Sequence, residues 1–221
     1  MSYYHRQIQL WGEETQKTLM SKKITIVGCG GLGCSIGIAL SGSGIGEIDL
    51  VDFDKVEVHN IHRQIAFDES SEGRYKSKVL KEVMQKRNSQ IAINSHEISF
   101  DEYETALSPN LIIDATDNLQ TRAKIDQYAK DIKTPWIYGS VEEFHGQVCF
   151  FDEVRFEDVL RVGDKKVKGV VAPIVMQVAS FQANLALRYL ARLSVAKDVL
   201  NYIFYDDVGQ MKVQSFKLPK K

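Results

Sequence analysis

Charge of one sign, cysteine pairs and long apolar runs are all missing from this chain of 221 residues. Lys and Arg number 28 against 29 Asp and Glu, a formal net charge of -1. Nothing in that balance points to nucleic acid or an anionic membrane as main partner, so any basic cluster must be local. The three cysteines, Cys29, Cys34 and Cys149, are an odd number without a C-x-x-C pair. That speaks against a disulfide framework and against a cysteine-built zinc site, and suits a reducing compartment. Zinc is not expected. Met1 to Met20 has no apolar centre of a signal peptide, no stretch approaches a membrane span, and repeats and low-complexity tracts are absent. A soluble, cytoplasmic protein is the expectation.

The length suits a single α/β domain over residues 1–221. Residues 1–21 carry Ile8, Leu10, Trp11 and Leu19 in a polar background and read as a helical arm lying against it. The apolar run Ile24 to Val27 leads into Gly28-Cys29-Gly30-Gly31-Leu32-Gly33, and a helix from Gly33 to about Gly42 follows. Gly44-Ile45-Gly46 then ends the helix before a second strand, Glu47 to Phe53. Strand, glycine turn, helix and parallel strand make a right-handed βαβ unit. Further on, Lys76 to Asn88 has helical spacing, Ile91 to Ile98 alternates, and Leu111 to Asp114 is the apolar run of a buried parallel strand. A helix over Asn118 to Asp131, strands at 135–139 and 147–151, a buried helix over Ala172 to Leu193 and two closing strands at 202–205 and 211–216 complete the pattern. The expected fold is a doubly wound, Rossmann-like, mostly parallel sheet with antiparallel strands at the C-terminal end. Residues 152–168, rich in charge and without a sustained apolar stripe, read as a mobile crossover loop.

Alone, G-x-G-x-x-G is weak evidence, but here it follows a strand and opens a helix. Gly28, Gly30, Gly31 and Gly33 would let backbone N–H groups approach a phosphate, and Asp52, ending the next strand, stands where a ribose hydroxyl is taken. Polar groups follow quickly: Asp54, Asn60, Arg63, Gln64 and Lys76. Hydride transfer needs few cations, whereas a triphosphate being cleaved needs several. Asp54 and Asp117 each lie just past a strand's carboxyl end, the edge where open α/β sheets bind ligands, and Asp117 is the favoured Mg²⁺ ligand. Cys34 reads as small-residue packing under the turn rather than a reactive thiol, and Cys149 as core.

Taken together, these stretches resemble the MoeB/ThiF/HesA family, bacterial relatives of ubiquitin-activating enzymes. The matching residues are His5-Arg6-Gln7-Ile8 with Leu10-Trp11-Gly12, the glycine turn through Cys34, Val51 to Asp54, Asn60-Ile61-His62-Arg63-Gln64, Lys76, Asp114 to Asn118, Gly146-Gln147 and Gly169 to Pro173. The resemblance implies an ATP- and Mg²⁺-dependent adenylyltransferase acting on the C-terminal glycine of a ubiquitin-like sulfur-carrier protein, in thiamine or molybdopterin biosynthesis. It further implies that the glycines cradle the nucleotide and Asp52 takes the ribose. Asn60, Arg63 and Lys76 would contact phosphates, Asp117 would hold Mg²⁺ with Asn118 beside it, and Arg6 would act as an arginine finger across a homodimer.

This chain departs from the family in two respects. Many members carry C-x-x-C pairs for zinc and a cysteine in the crossover loop, whereas no cysteine follows Cys149 here; and Tyr3 stands where the first arginine of an amino-terminal pattern is usual. A reaction that stops at the acyl-adenylate is expected. Two other readings compete: a non-catalytic subunit binding nucleotide or carrier, and an NAD-dependent oxidoreductase, which accounts only for the glycine turn and Asp52.

Overall fold

The computed structural model describes residues 2–103, 108–160 and 169–220. Eight strands form one sheet: β1 Lys23–Val27, β2 Glu47–Val51, β3 Ala92–His96, β4 Leu111–Asp114, β5 Trp136–Glu142, β6 His145–Phe151, β7 Val199–Tyr205 and β8 Met211–Lys217. Their order is β3-β2-β1-β4-β5-β6-β7-β8. The first five run parallel, while β6, β7 and β8 pair antiparallel, β5–β6 and β7–β8 as hairpins and β6–β7 across the long connection of residues 152–198. The expected fold is what forms, with the chain direction reversing at the β5–β6 turn.

Alternation along the strands explains the two layers. Ile24 and Ile26 of β1, Ile48 and Leu50 of β2, and Leu111 and Ile113 of β4 face one side, where α2 Gly31–Ser43, α4 Lys76–Arg87 and α7 Ala172–Leu190 cover them. Val27, Ile112, Trp136, Tyr138 and Phe151 face the other, against α5 Leu119–Asp131 and α6 Phe156–Val159. Right-handed connections put α2 and α5 on opposite faces because strand order reverses at β1. The amino-terminal helix α1 His5–Met20 breaks at Gly12, whose φ of 81° is left-handed, and anchors through buried Gln16 and Leu19. Gln16 donates to the Ser43 carbonyl at the end of α2.

Boundaries differ from the sequence reading in detail. β2 stops at Val51 because Asp52 turns its carboxylate onto backbone N–H groups, and α7 stops at Leu190, where Arg192 takes a left-handed φ of 60°. A short α3, Val58–Ile61, was not anticipated. The expected crossover loop 152–168 begins with the helical turn α6, whose Phe156 is buried against Trp136, while 161–168 lie outside the described residues. β8 is exposed along its whole length and leaves one sheet edge open.

A charge is buried within the sheet on β2. Asp49, on β2, is 1% exposed. It accepts hydrogen bonds from Tyr103 (2.6 Å) and Asn94 (2.8 Å) and pairs with Lys23 at 3.0 Å. Burial works to raise its pKa, but these partners outweigh burial and hold the carboxyl below the usual range. With the folded pKa depressed, the stability this group contributes is present above the unfolded carboxylate pKa and is lost as pH falls through the folded one. Urea unfolding of wild type and Asp49→Asn should therefore differ most at neutral pH and converge below about pH 4.

Candidate nucleotide site

The glycine turn depends on contacts that tolerate no side chain. Gly28 has φ +93°, and a Cβ there would lie 2.7 Å from the Ala115 carbonyl oxygen, just past β4. At Gly33 a Cβ would come within 2.0 Å of the Gly28 carbonyl oxygen. The turn is thus pressed between its own helix and the end of the neighbouring strand. Gly30 caps α2 without a side-chain hydrogen bond, and no acidic residue stands in the first helical turn. The leading N–H groups of α2 are left without intrahelical acceptors, an arrangement that favours an anion.

Asp52 braces this turn from the side. One carboxylate oxygen accepts the Cys29 N–H at 2.6 Å, the other the Asp54 N–H at 2.7 Å, and burial raises the carboxyl's pKa. The next residues fold back over it. Lys76, 7% exposed at the start of α4, pairs with Asp54 at 2.9 Å, and its backbone N–H donates to the Asp54 carbonyl. Arg63 donates to Asn60 Oδ1 at 2.7 Å and meets His62 Nε2 at 3.0 Å, and Asn60 in turn donates to Glu57. A Cβ on Gly31 would fall 3.3 Å from the Arg63 carbonyl oxygen and 2.8 Å from Val175 of α7, so Arg63 lies directly over the turn. Gln64 is buried beside Gly30, its amide nitrogen 3.5 Å from where a Cβ there would sit, and its Oε1 has no hydrogen-bond partner among the described residues.

On the other side of the turn, β4 delivers Asp117, exposed and without a hydrogen-bond or ion-pair partner among the described residues. Asn118 caps α5, its Oδ1 accepting from the Gln120 and Thr121 N–H groups. That spends its only acceptor atom on the helix. Arg6 stands apart: exposed on α1, it contacts Gln9 at 3.3 Å and none of the residues around the turn. The thiols beneath the turn are core, for Cys34 donates to the Cys29 carbonyl oxygen at 3.4 Å and burial pushes its pKa up to about 12.

Sequence reasoning missed the ion pair under this site. Asp114, fully buried at the end of β4, pairs with Arg122 of α5 at 3.0 Å and accepts from the Thr116 backbone and hydroxyl. Arg122 also donates to the Thr116 and Gly139 carbonyls and lies 5.0 Å from the centre of the Tyr138 ring. Gln182 of α7 donates to the Asp114 carbonyl at 2.7 Å. The available signal was an ionisable residue closing a strand of four buried positions, which requires a counterion. The network fixes the Thr116–Asn118 loop from below.

The ThiF family model matches residues 4–221. The chain belongs to the ThiF family. Relatives include the adenylyltransferase and sulfurtransferase MOCS3 of Dictyostelium discoideum, 34% identical over 196 residues covering 81% of this chain and 45% of that protein. The molybdopterin-synthase adenylyltransferase of Haemophilus influenzae is 30% identical over 230 residues, 98% of this chain and 94% of the relative. The chain thus spans about half the length of the MOCS3 relatives from Dictyostelium discoideum and Caenorhabditis briggsae, 45% and 52%. In structure it is similar to E. coli MccB in complex with ATP, with TM-score 0.86 and 21% identity over 100% of this chain and 72% of that one, a likeness of fold. No described helix is long and apolar enough to cross a membrane.

Arg122→Leu should cost about 3–5 kcal/mol, because it strands the Asp114 carboxylate in the interior. Denaturant unfolding should also find Asp114→Asn/Arg122→Leu more stable than that single variant.

Proposed function

We propose that this ThiF-family chain, acting over residues 1–221 as one adenylation domain, adenylates the C-terminal carboxylate of a ubiquitin-like sulfur-carrier protein with ATP. The observation that carries the reading is the convergence, on one carboxyl edge of the sheet, of the uncapped α2 amino terminus, Arg63, Lys76 and an unengaged Asp117. The names of the Haemophilus influenzae and Dictyostelium discoideum relatives favour a carrier of the molybdopterin branch over one of the thiamine branch.

The chemistry asks little proton movement of the protein. A terminal carboxylate is already ionised at neutral pH, so no general base is needed. One of its oxygens attacks the α-phosphorus, the bond to the β,γ-diphosphate breaks, and acyl-adenylate and pyrophosphate are the products. The barrier lies in bringing one anion to another and in charge gathering on the leaving group. The α2 N–H groups and Gly28 to Gly33 bear on the phosphates, and Asp52 retains acceptor positions for ribose hydroxyls. Arg63, with Asn60 orienting it, and Lys76 offset the departing charge. Gln64, its Oε1 unpaired, supports the turn at Gly30.

Asp117 would hold Mg²⁺, which prefers one or two carboxylates with phosphate oxygens and water, and which would supply charge neutralisation on the polyphosphate. Its unengaged carboxylate suits that role. Arg6, remote from the turn in its own chain, fits a part played across a homodimer. With no cysteine after Cys149 within these 221 residues, the reaction on this chain ends at the acyl-adenylate.

Carrier-dependent exchange of pyrophosphate into ATP tests the reading. Lys76→Ala and Asp117→Ala should each lower exchange by about 100-fold or more. Arg6→Ala should be equally impaired alone, yet mixing it with Asp117→Ala should restore about a quarter of wild-type exchange, since half the dimers then hold one complete site. Exchange untouched by these substitutions would refute the proposal, and failure of mixing alone would refute the shared site.

A further inference from the structure

At the sheet edge opposite the glycine turn lies an open cavity of about 530 Å³ that the nucleotide reading does not use. Lys22, immediately before β1, and Asn110, immediately before β4, form one side of it, and the chain leaving α7 from Tyr189 to Lys197 forms the other. Its volume lies within the range of small-molecule sites.

The lining combines two chemistries. Tyr189, Leu193 and Val195 give apolar wall, the Tyr189 ring being held against Phe150 at 5.1 Å. Lys22, Arg192 and Lys197 bring positive charge, and no Asp or Glu lines the space among the described residues. Lys197 is committed to Asp152 at 3.0 Å, the acidic group at this rim. The side chains of Lys22 and Arg192 have neither ion pair nor hydrogen bond among the described residues.

The end of α7 does not require those cations. The carbonyls of Leu187, Arg188 and Tyr189 already accept from the N–H groups of Ala191, Leu193 and Arg192, and Arg188 closes the Ser194 carbonyl. Arg192 moreover occupies a left-handed backbone position that disfavours any side chain but glycine's. Two uncommitted cations lining one space beside an apolar wall call for an anion borne on an apolar body.

We propose that this cavity is a second binding site, for a small aryl phosphate or aryl carboxylate. The anion lies between Lys22 and Arg192, and the ring lies against Tyr189, Leu193 and Val195. The site is independent of the nucleotide reading, and either stands without the other.

Calorimetric titration of the full chain with phenyl phosphate tests it. Saturable one-site binding is expected, with phenol and inorganic phosphate each at least about 10-fold weaker. Lys22→Ser with Arg192→Gly should weaken phenyl phosphate by about 10-fold or more, while Lys76→Ala leaves it unchanged. Glycine suits the backbone at 192, so the variant keeps its fold, and an unaltered thermal melt checks that; Lys22→Glu alone, a charge reversal in intact backbone, should weaken binding in the same direction. No saturable binding, equal affinity for inorganic phosphate, indifference to the Lys22 and Arg192 changes, or loss in Lys76→Ala instead would each overturn the proposal.

Discussion

Everything at the carboxyl edge depends on how closely two backbones approach. The peptide at Gly28 lies against Ala115 and under Gly33, at separations that leave no room for a methyl group. That exclusion brings the end of β1, the end of β4 and the start of α2 to one point. The amino terminus of the helix, the Asp52 carboxylate and the Asp117 loop then share a single rim. Pattern in the rest of the chain builds a sheet; this contact decides where the sheet can hold a ligand.

The elements legible in the sequence were those with strong periodicity. Ile24 to Val27, Glu47 to Phe53 and Leu111 to Asp114 announced strands, the second ending two residues early at Val51, and Gly44 marked the end of α2, where it takes a left-handed φ of 80°. The candidate site residues after β2, which the structure gathers beside the turn, were legible as a group because they follow a strand end in close succession. What escaped was tertiary: Arg122 looks like any cation on an amphipathic helix, and only the fold shows it buried 3.0 Å from Asp114. Likewise Asn118, grouped with the ligand contacts, is first a helix cap, a local role that Asp117-Asn118 before an apolar stripe permits either residue to fill. Short pieces such as α3 and α6 carry too few turns to leave a period.

The polar interior divides by task. Asp49 with Tyr103, Asn94 and Lys23 ties β1, β2 and β3 together below the site. Asp114 with Arg122, Thr116 and Gln182 ties β4 to α5 and α7 directly beneath the loop bearing Asp117. Both sets cost desolvation, which neighbouring donors offset. The second also fixes the angle at which an exposed loop leaves the sheet, something apolar packing would specify less tightly.

The pair between Lys76 and Asp54 carries a consequence for how the rim meets a polyanion. A buried ammonium with its own carboxylate at 2.9 Å is already compensated, so a phosphate bound as proposed would substitute for a resident counterion instead of filling an electrostatic void. On the proposed reading, association at this lysine would be an exchange, with the half-exposed Asp54 free to turn its charge to water as the phosphate took its place. At this lysine, a resident counterion would make a bound anion compete for its place before it could stay.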